Sequence, residues 1–348
     1  MSTNQIRAVA VSDVGKRRKN NEDNYYINGK TVRSATQASA SAELSVQNVF
    51  AVFDGMGGEQ AGELASQAAA DVFCADASAL LQSGFSYPAV NALVQKANYS
   101  VCALARQKQA RVGTTLALLA FRENNLLIAN VGDSRVYRLS NGTLTQLSKD
   151  HTQAQSLVDS GVLPKEEAEK RPEKHKLTQH LGIFPEEMEI EPYAVTVPAV
   201  QGDRFLLCSD GLTDMLQDGE IRQILLENLP IEAVCRRLVQ TALDRGGKDN
   251  TTVVLCEIIS TDSKRGTTQR LDAETTQNEN VAQNAAPVVN KENRQKKRWL
   301  WGIIGIMVLI TLVFVAVFGL HLNDGGLSER LNRETTTVTE NAFEADAQ

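Results

Sequence analysis

The sequence has no Cys-x-x-Cys pair, and its five cysteines (Cys74, Cys102, Cys208, Cys235 and Cys256) are widely spaced. That excludes a zinc knuckle and a thioredoxin-like redox motif. An odd, unclustered set fits a reduced compartment, where each thiol is expected to be a small buried hydrophobe. No cysteine has an arginine six positions on, which removes the thiolate loop of the tyrosine phosphatases. There is no G-x-x-x-x-G-K-[ST] phosphate loop, no G-x-S-x-G elbow and no H-E-x-x-H zinc motif. Asp54-Gly55-Met56 is not the D-x-D pair of aspartyl-phosphate hydrolases. Met1–Ala10 lacks a basic stretch followed by an apolar core, so no signal peptide is expected and the catalytic part is placed in the cytosol. Excess positive charge is also missing: the formal net charge is -6, which argues against a nucleic-acid partner.

What is present is a chain of 348 residues, 42% hydrophobic and 22% charged, as in a foldable globular protein of one large or two ordinary domains. Residues 299–320 hold no charged side chain and are rich in Ile, Leu, Val and Phe. At about 1.5 Å per residue they reach roughly 33 Å, the hydrocarbon thickness of a bilayer. Lys291, Arg294, Lys296, Lys297 and Arg298 precede the run, with Trp299 and Trp301 at interfacial depth. The positive-inside rule then predicts a single pass of the cell (inner) membrane with the N-terminal side cytoplasmic, and 321–348 as a short external tail. Residues 259–298, poor in large apolar side chains, read as a flexible cytoplasmic linker with a basic juxtamembrane end. Its coil reach is on the order of 30 Å.

Residues 1–258 read as one α+β unit. Short apolar runs suited to buried strands cover 49–53, 115–121, 126–131, 205–208 and 252–258. Helical spacing covers 61–80, with Leu64, Ala68, Val72 and Ala79 on one face, and again 88–104. The second helix has Ser86 as a cap and Pro88 in its first turn. Residues 30–47, rich in Ser and Ala, read as an exposed loop insertion. Strands and helices segregate, which points to a layered domain.

The chemistry lies where apolar strands meet aspartates. Phe53-Asp54-Gly55, Cys208-Ser209-Asp210-Gly211 and Lys248-Asp249-Asn250 share that arrangement, and Val131-Gly132-Asp133-Ser134-Arg135 links two strands. Asp-Gly pairs are commonly plain hairpin turns. Carboxylates at strand ends are equally suited to converge on Mg²⁺ or Mn²⁺, which prefer oxygen ligands. Spacing alone leaves both readings open.

The ordered series Ser12-Asp13-Val14-Gly15 through Arg18 to Asn21-Glu22-Asp23, Phe53-Asp54-Gly55-Met56-Gly57-Gly58, Gly113-Thr114-Thr115, Val131 to Arg135, Ser209-Asp210-Gly211-Leu212-Thr213-Asp214 and Lys248 to Thr252 resembles the metal-dependent protein phosphatases of type 2C, in particular their bacterial branch. The resemblance covers about Ile6 to Ile258. It implies a four-layer α-β-β-α sandwich, two antiparallel sheets flanked by helix pairs, to which 299–320 adds one transmembrane helix.

It also implies two Mn²⁺ or Mg²⁺ ions. Asp54 bridges them, the Gly55 carbonyl serves one, Asp210 and Asp249 complete the other, and Glu22 and Asp23 act mainly through water. Asp133 and Asp214 match a third, weaker metal position. Arg18 matches the phosphate-gripping arginine, with Arg17 as the alternative. The implied reaction is hydrolysis of phosphoserine and phosphothreonine on proteins by a metal-bridging hydroxide, without a covalent intermediate, opposed to a serine/threonine kinase. Some members carry His where Met56 stands; His151 matches a motif position that is either catalytic or structural. Thr152–Gly182 matches a mobile flap beside the site. The rival readings are a membrane-anchored pseudophosphatase that binds phosphoproteins without turnover, and a hydrolase of small phosphoesters.

Overall fold

In the computed structural model, residues 5–32, 37–45, 47–57, 61–168, 170–261 and 268–272 are described. The chain opens with strands β1 (Gln5–Asp13), β2 (Asp23–Ile27), β3 (Lys30–Thr31), β4 (Gln37–Ser45) and β5 (Gln47–Gly57). Helices α1 (Ala61–Gln82) and α2 (Tyr87–Lys108) follow. Next come β6 (Val112–Thr114), β7 (Leu116–Arg122), β8 (Asn125–Val131), β9 (Arg135–Ser140) and β10 (Thr143–Gln146). A helical excursion, α3 (Gln153–Asp159), α4 (Lys165–Ala168) and a 3-10 turn at Pro172–His175, leads to β11 (Tyr193–Pro198) and β12 (Arg204–Cys208). The described residues end with α5 (Asp210–Thr213), α6 (Asp218–Leu225), α7 (Ile231–Asp244), β13 (Thr251–Ser260) and β14 (Gln269–Leu271).

Two antiparallel sheets result, ordered β10-β9-β12-β13-β1-β4 and β14-β11-β8-β7-β5-β2-β3, with β6 added on β5. Their central strands are apolar on both faces because each sheet is covered twice. Phe205, Leu207, Val254 and Cys256 of one sheet meet Phe50, Val52, Leu119 and Phe121 of the other. The alternate residues Val9, Val11, Leu206, Val253 and Leu255 face α6 and α7, which supply Ile221, Val234, Leu238 and Val239. On the far side, Val49, Ala51 and Phe53 of β5 face α1 and α2. There Ala65, Ala69 and Ala70 keep the helix close, while Phe73 meets Phe53 edge-to-face at 5.1 Å. Each large side chain so buried contributes roughly 1.5–3 kcal/mol. The four-layer α-β-β-α order is the one expected.

Register decides where function sits. Asp13 pairs with Thr251, Cys208 with Val253, Asp23 with Asp54, and Leu116 with Val131. Both sheets therefore end at the same edge of the sandwich, and their aspartates follow or precede those strand ends.

Several expectations need correction. The described part of 30–47 is no loop insertion: β3 pairs with β2, and β4 runs beside β1 from Asp13↔Gln37 to Gln5↔Ser45. The free backbone edge of β1 supplies what the Ser/Ala composition did not advertise. Within the segment read as linker, Gln269–Leu271 is paired with β11. Ser86 stands at the N-cap of α2, but its side chain makes no capping bond. Four cysteines are buried as expected, whereas Cys74 is exposed. The span expected over 299–320 and the tail 321–348 lie outside the described residues. Among the described residues, no helix is long and apolar enough to cross a membrane.

Candidate metal centre and active site

Five aspartates converge at the common strand edge. Asp23 opens β2 opposite Asp54 on β5, Asp133 sits in the β8–β9 turn, Asp210 starts α5 directly after β12, and Asp249 precedes β13. Local hydrogen bonds hold two of them. Asp54 donates its N–H to Thr115 Oγ1 at 3.0 Å, and its carbonyl accepts from Thr115 N and Thr114 Oγ1, both at 2.9 Å. Ser209 donates its hydroxyl to Asp23 Oδ2 at 2.7 Å and accepts the Thr252 N–H at 3.0 Å, which locks the β12 end to β13. Two glycines are obligatory here. A Cβ on Gly55 would fall 2.2 Å from the Gly62 carbonyl oxygen, and one on Gly211 only 1.9 Å from that of Asn250.

The electrostatics are those of a cation site. Burial first, and then neighbouring carboxylates, push Asp23 up to about 7 and Asp210 up to about 6. Asp54 and Asp133 are raised well above the usual carboxylate range for the same reasons, with Asp210 acting on both. Asp23 Oδ1 is buried with no hydrogen-bond partner. Carboxylates that repel one another, one with an orphaned oxygen, fit a hard divalent cation: the donors are all oxygen, and a cation would reverse each shift.

The phosphate side is built by the loop between β1 and β2. Arg18 donates from Nη2 to Asp249 Oδ2 at 2.6 Å and is half exposed. Arg17 is exposed, with no ion pair among the described residues. Glu22 lies nearby, raised first by burial and then held back by Arg18. One side chain ties this loop at three points. Asn250 is buried, accepts the Glu22 N–H at 2.8 Å, and donates to the carbonyls of Val14 and Asn20 at 2.9 Å each.

The flap expected at 152–182 is the α3–α4–3-10 excursion. At its first root, His151 N donates to the Gly132 carbonyl at 2.9 Å, and Gly132 N donates to His151 Nδ1 at 3.2 Å. At the other root Thr114 and Leu181 exchange backbone bonds of 3.0 and 2.8 Å. Burial lowers His151 to about 4, which favours the neutral ring that accepts the Gly132 N–H. Arg135 forks onto Asp150 at 2.7–3.1 Å and donates to Tyr137 at 3.0 Å, bracing the turn that carries Asp133.

Above the carboxylates, Lys174 donates to Asp214 at 2.9 Å and His175 lies 3.8–4.0 Å from Asp214 and Asp210. These groups line a cavity of about 480 Å³ together with Asp133 and Lys170. All expected site residues thus meet at one edge, with Asp214 engaged by the flap. Asn250 and Ser209 were motif letters without a role in the sequence, and Lys174 and His175 gave no signal there.

The family model described as Protein phosphatase 2C matches residues 34–255. The serine/threonine protein phosphatase PstP of Mycobacterium tuberculosis is 36% identical over 264 residues, 74% of this chain. The matched region is 46% of PstP, so the chain spans about half of that relative's length. The protein phosphatase PhpP of Streptococcus pneumoniae is 33% identical over 73% of this chain and 98% of its own. The crystal structure of the PstP catalytic domain in complex with two manganese ions superposes with a TM-score of 0.59 at 34% identity, covering 74% of this chain and 100% of that one.

Proposed function

This chain belongs to the Protein phosphatase 2C family, and from that footing we propose that it hydrolyses phosphoserine and phosphothreonine on proteins with two Mn²⁺ or Mg²⁺ ions. The observation that carries the reading is the convergence of Asp23, Asp54, Asp133, Asp210 and Asp249 beside Arg18. Asp54, the Gly55 carbonyl, Asp210 and Asp249 would hold the two ions, with Glu22 and Asp23 acting through water and Asp133 and Asp214 offering a third, weaker position. Bound there, the ions lower the pKa of a water and offset charge on the phosphoryl oxygens.

The chain's own groups do the rest. The planar fork of Arg18 can turn from Asp249 to grip two phosphoryl oxygens and orient the ester. Asn250 keeps the Arg18 loop in place, and Ser209 fixes the orientation of Asp23. No protein nucleophile is needed. Cys208, the nearest candidate in sequence, is fully buried and its thiol is pushed up to about 12 by that burial. His151 is committed to Gly132 and is no proton donor at neutral pH.

The uncharged run 299–320 with its basic flank supports tethering to the cytoplasmic membrane face, and a serine/threonine kinase is the opposing activity. The experiment is phosphate release from a phosphothreonine peptide by the full chain, with Mn²⁺ and then with excess chelator. Metal-dependent release supports the reading. A folded chain that binds the peptide but releases no phosphate would make it a binding module. Recovery of the chain in the soluble fraction after lysis would sink the tether.

A further inference from the structure

The loop from β1 to β2 carries four consecutive cations, Lys16, Arg17, Arg18 and Lys19, in a chain of net charge -6. All four are exposed, as is Lys248 beside Asp249. Arg18 turns onto Asp249. Among the described residues no ion pair engages Lys16, Arg17, Lys19 or Lys248, although many other surface cations find a carboxylate. Lys96 pairs with Asp76, Lys149 with Asp159, Arg106 with Glu186 and Arg245 with Glu220.

A run of charge is most often a solvated face, but the backbone of this one is pinned at several points. Asn250 clamps Val14, Asn20 and Glu22, and Lys16 N donates to the Gly247 carbonyl at 2.7 Å. Gly15, at φ 79°, packs where a Cβ would lie 2.3 Å from the Asp249 carbonyl oxygen. The backbone that carries these cations is therefore anchored beside Asp249, next to the carboxylates of the site.

We propose that Lys16, Arg17, Lys19 and Lys248 form an accessory anion site that selects phosphoprotein segments carrying a second phosphate close to the target residue. The proposal rests on the phosphatase reading above. An extended peptide advances about 3.3 Å per residue. A second phosphate two residues away thus lies roughly 7 Å from the one Arg18 grips, within reach of its neighbours' side chains and inside a Debye length. Anionic lipid is the other ligand such cations attract. A loop lying flat on headgroups, however, could not also present Arg18 to a peptide, so the peptide is favoured.

The test compares two phosphothreonine peptides that differ only in a second phosphothreonine or alanine two residues away, using the full chain with Mn²⁺ in neutral detergent. For the wild type, kcat/KM should favour the doubly phosphorylated peptide about tenfold at low salt, mainly through KM. The preference should shrink as salt rises. It should vanish in K16Q/R17Q/K19Q/K248Q and be intermediate in K19Q/K248Q. Equal kcat/KM values for both peptides in the wild type would overturn the accessory site while leaving the phosphatase reading intact. Hydrolysis of neither would overturn that reading and the site with it. A quadruple variant that kept the preference but lost a rate response to phosphatidylglycerol in mixed micelles would assign the cations to lipid and overturn the proposal.

Discussion

Asn250 Oδ1 accepts the amide hydrogen of Glu22 at 2.8 Å, so the residue after one carboxylate of the candidate site holds the backbone of another. Its amide group also holds Val14 and Asn20. Asn250→Ala should cost about 1–3 kcal/mol, since a buried polar network loses its centre. It should also raise KM for a phosphopeptide more than it lowers kcat, because the Arg18 loop loosens. Urea unfolding and steady-state kinetics read both effects; a variant with unchanged midpoint and KM would show that the loop needs no clamp.

Arg18→Lys keeps the charge but loses the fork. Loss of a charged hydrogen bond of about 1.5–3 kcal/mol should lower kcat/KM by roughly 10- to 100-fold. The matching Arg17→Lys change should leave kcat/KM for a singly phosphorylated peptide within about twofold, since a cation remains at an exposed site. If the two variants behave alike, the assignment to Arg18 fails.

Asp210 makes an unusual forecast for the metal-free protein. Its folded value, about 6, is above the unfolded value of 3.8, so it costs stability as pH rises through that window and stays unfavourable at pH 7.5. Asp210→Asn should therefore stabilise the chelator-treated chain by about 1–3 kcal/mol while abolishing Mn²⁺-dependent turnover. Calorimetry with and without Mn²⁺ decides; a variant destabilised in chelator would contradict the repulsion argument.

Much of this was legible in the sequence because the strand edges are written as apolar runs broken by Asp. Asp54, Asp210 and Asp249 could be placed from that pattern, and register then brought Asp23 opposite Asp54. β4 was illegible because its Ser/Ala composition carries no strand signal, and only the unsatisfied edge of β1 calls for it. Likewise Lys174 meets Asp214 across forty residues of chain, a contact set by how the flap folds back.

Gly211→Ala tests the tightest contact at the site. With a Cβ only 1.9 Å from a backbone oxygen, the β12–α5 turn or the Asp249 segment must move. A loss of about 3 kcal/mol, at the upper end for overpacking, is expected by chemical denaturation. A wild-type midpoint would mean that the two segments separate freely.

His151 gives the pH dependence a sign. Its value of about 4 in the fold is below the ordinary 6.5, so the unfolded chain binds the proton more readily. Its contribution is intact above pH 6.5 and is lost as pH falls toward 4. His151→Asn retains an acceptor for Gly132. The wild type's stability relative to that variant should fall by about 2 kcal/mol between pH 7 and pH 5. A difference independent of pH would show that the ring is not held neutral.

The flap leaves and rejoins the sandwich at two points tied mainly by main-chain bonds, His151 with Gly132 and Leu181 with Thr114. Neither attachment draws on the side chains of the helices between them. The excursion is thus spliced into the frame as a cassette, with its ends docked beside Asp133 and Asp54. Lys174 and His175 reach from its interior to Asp214 and Asp210, so those two positions are bound to the site, while the attachments at either end do not depend on the helices that lie between.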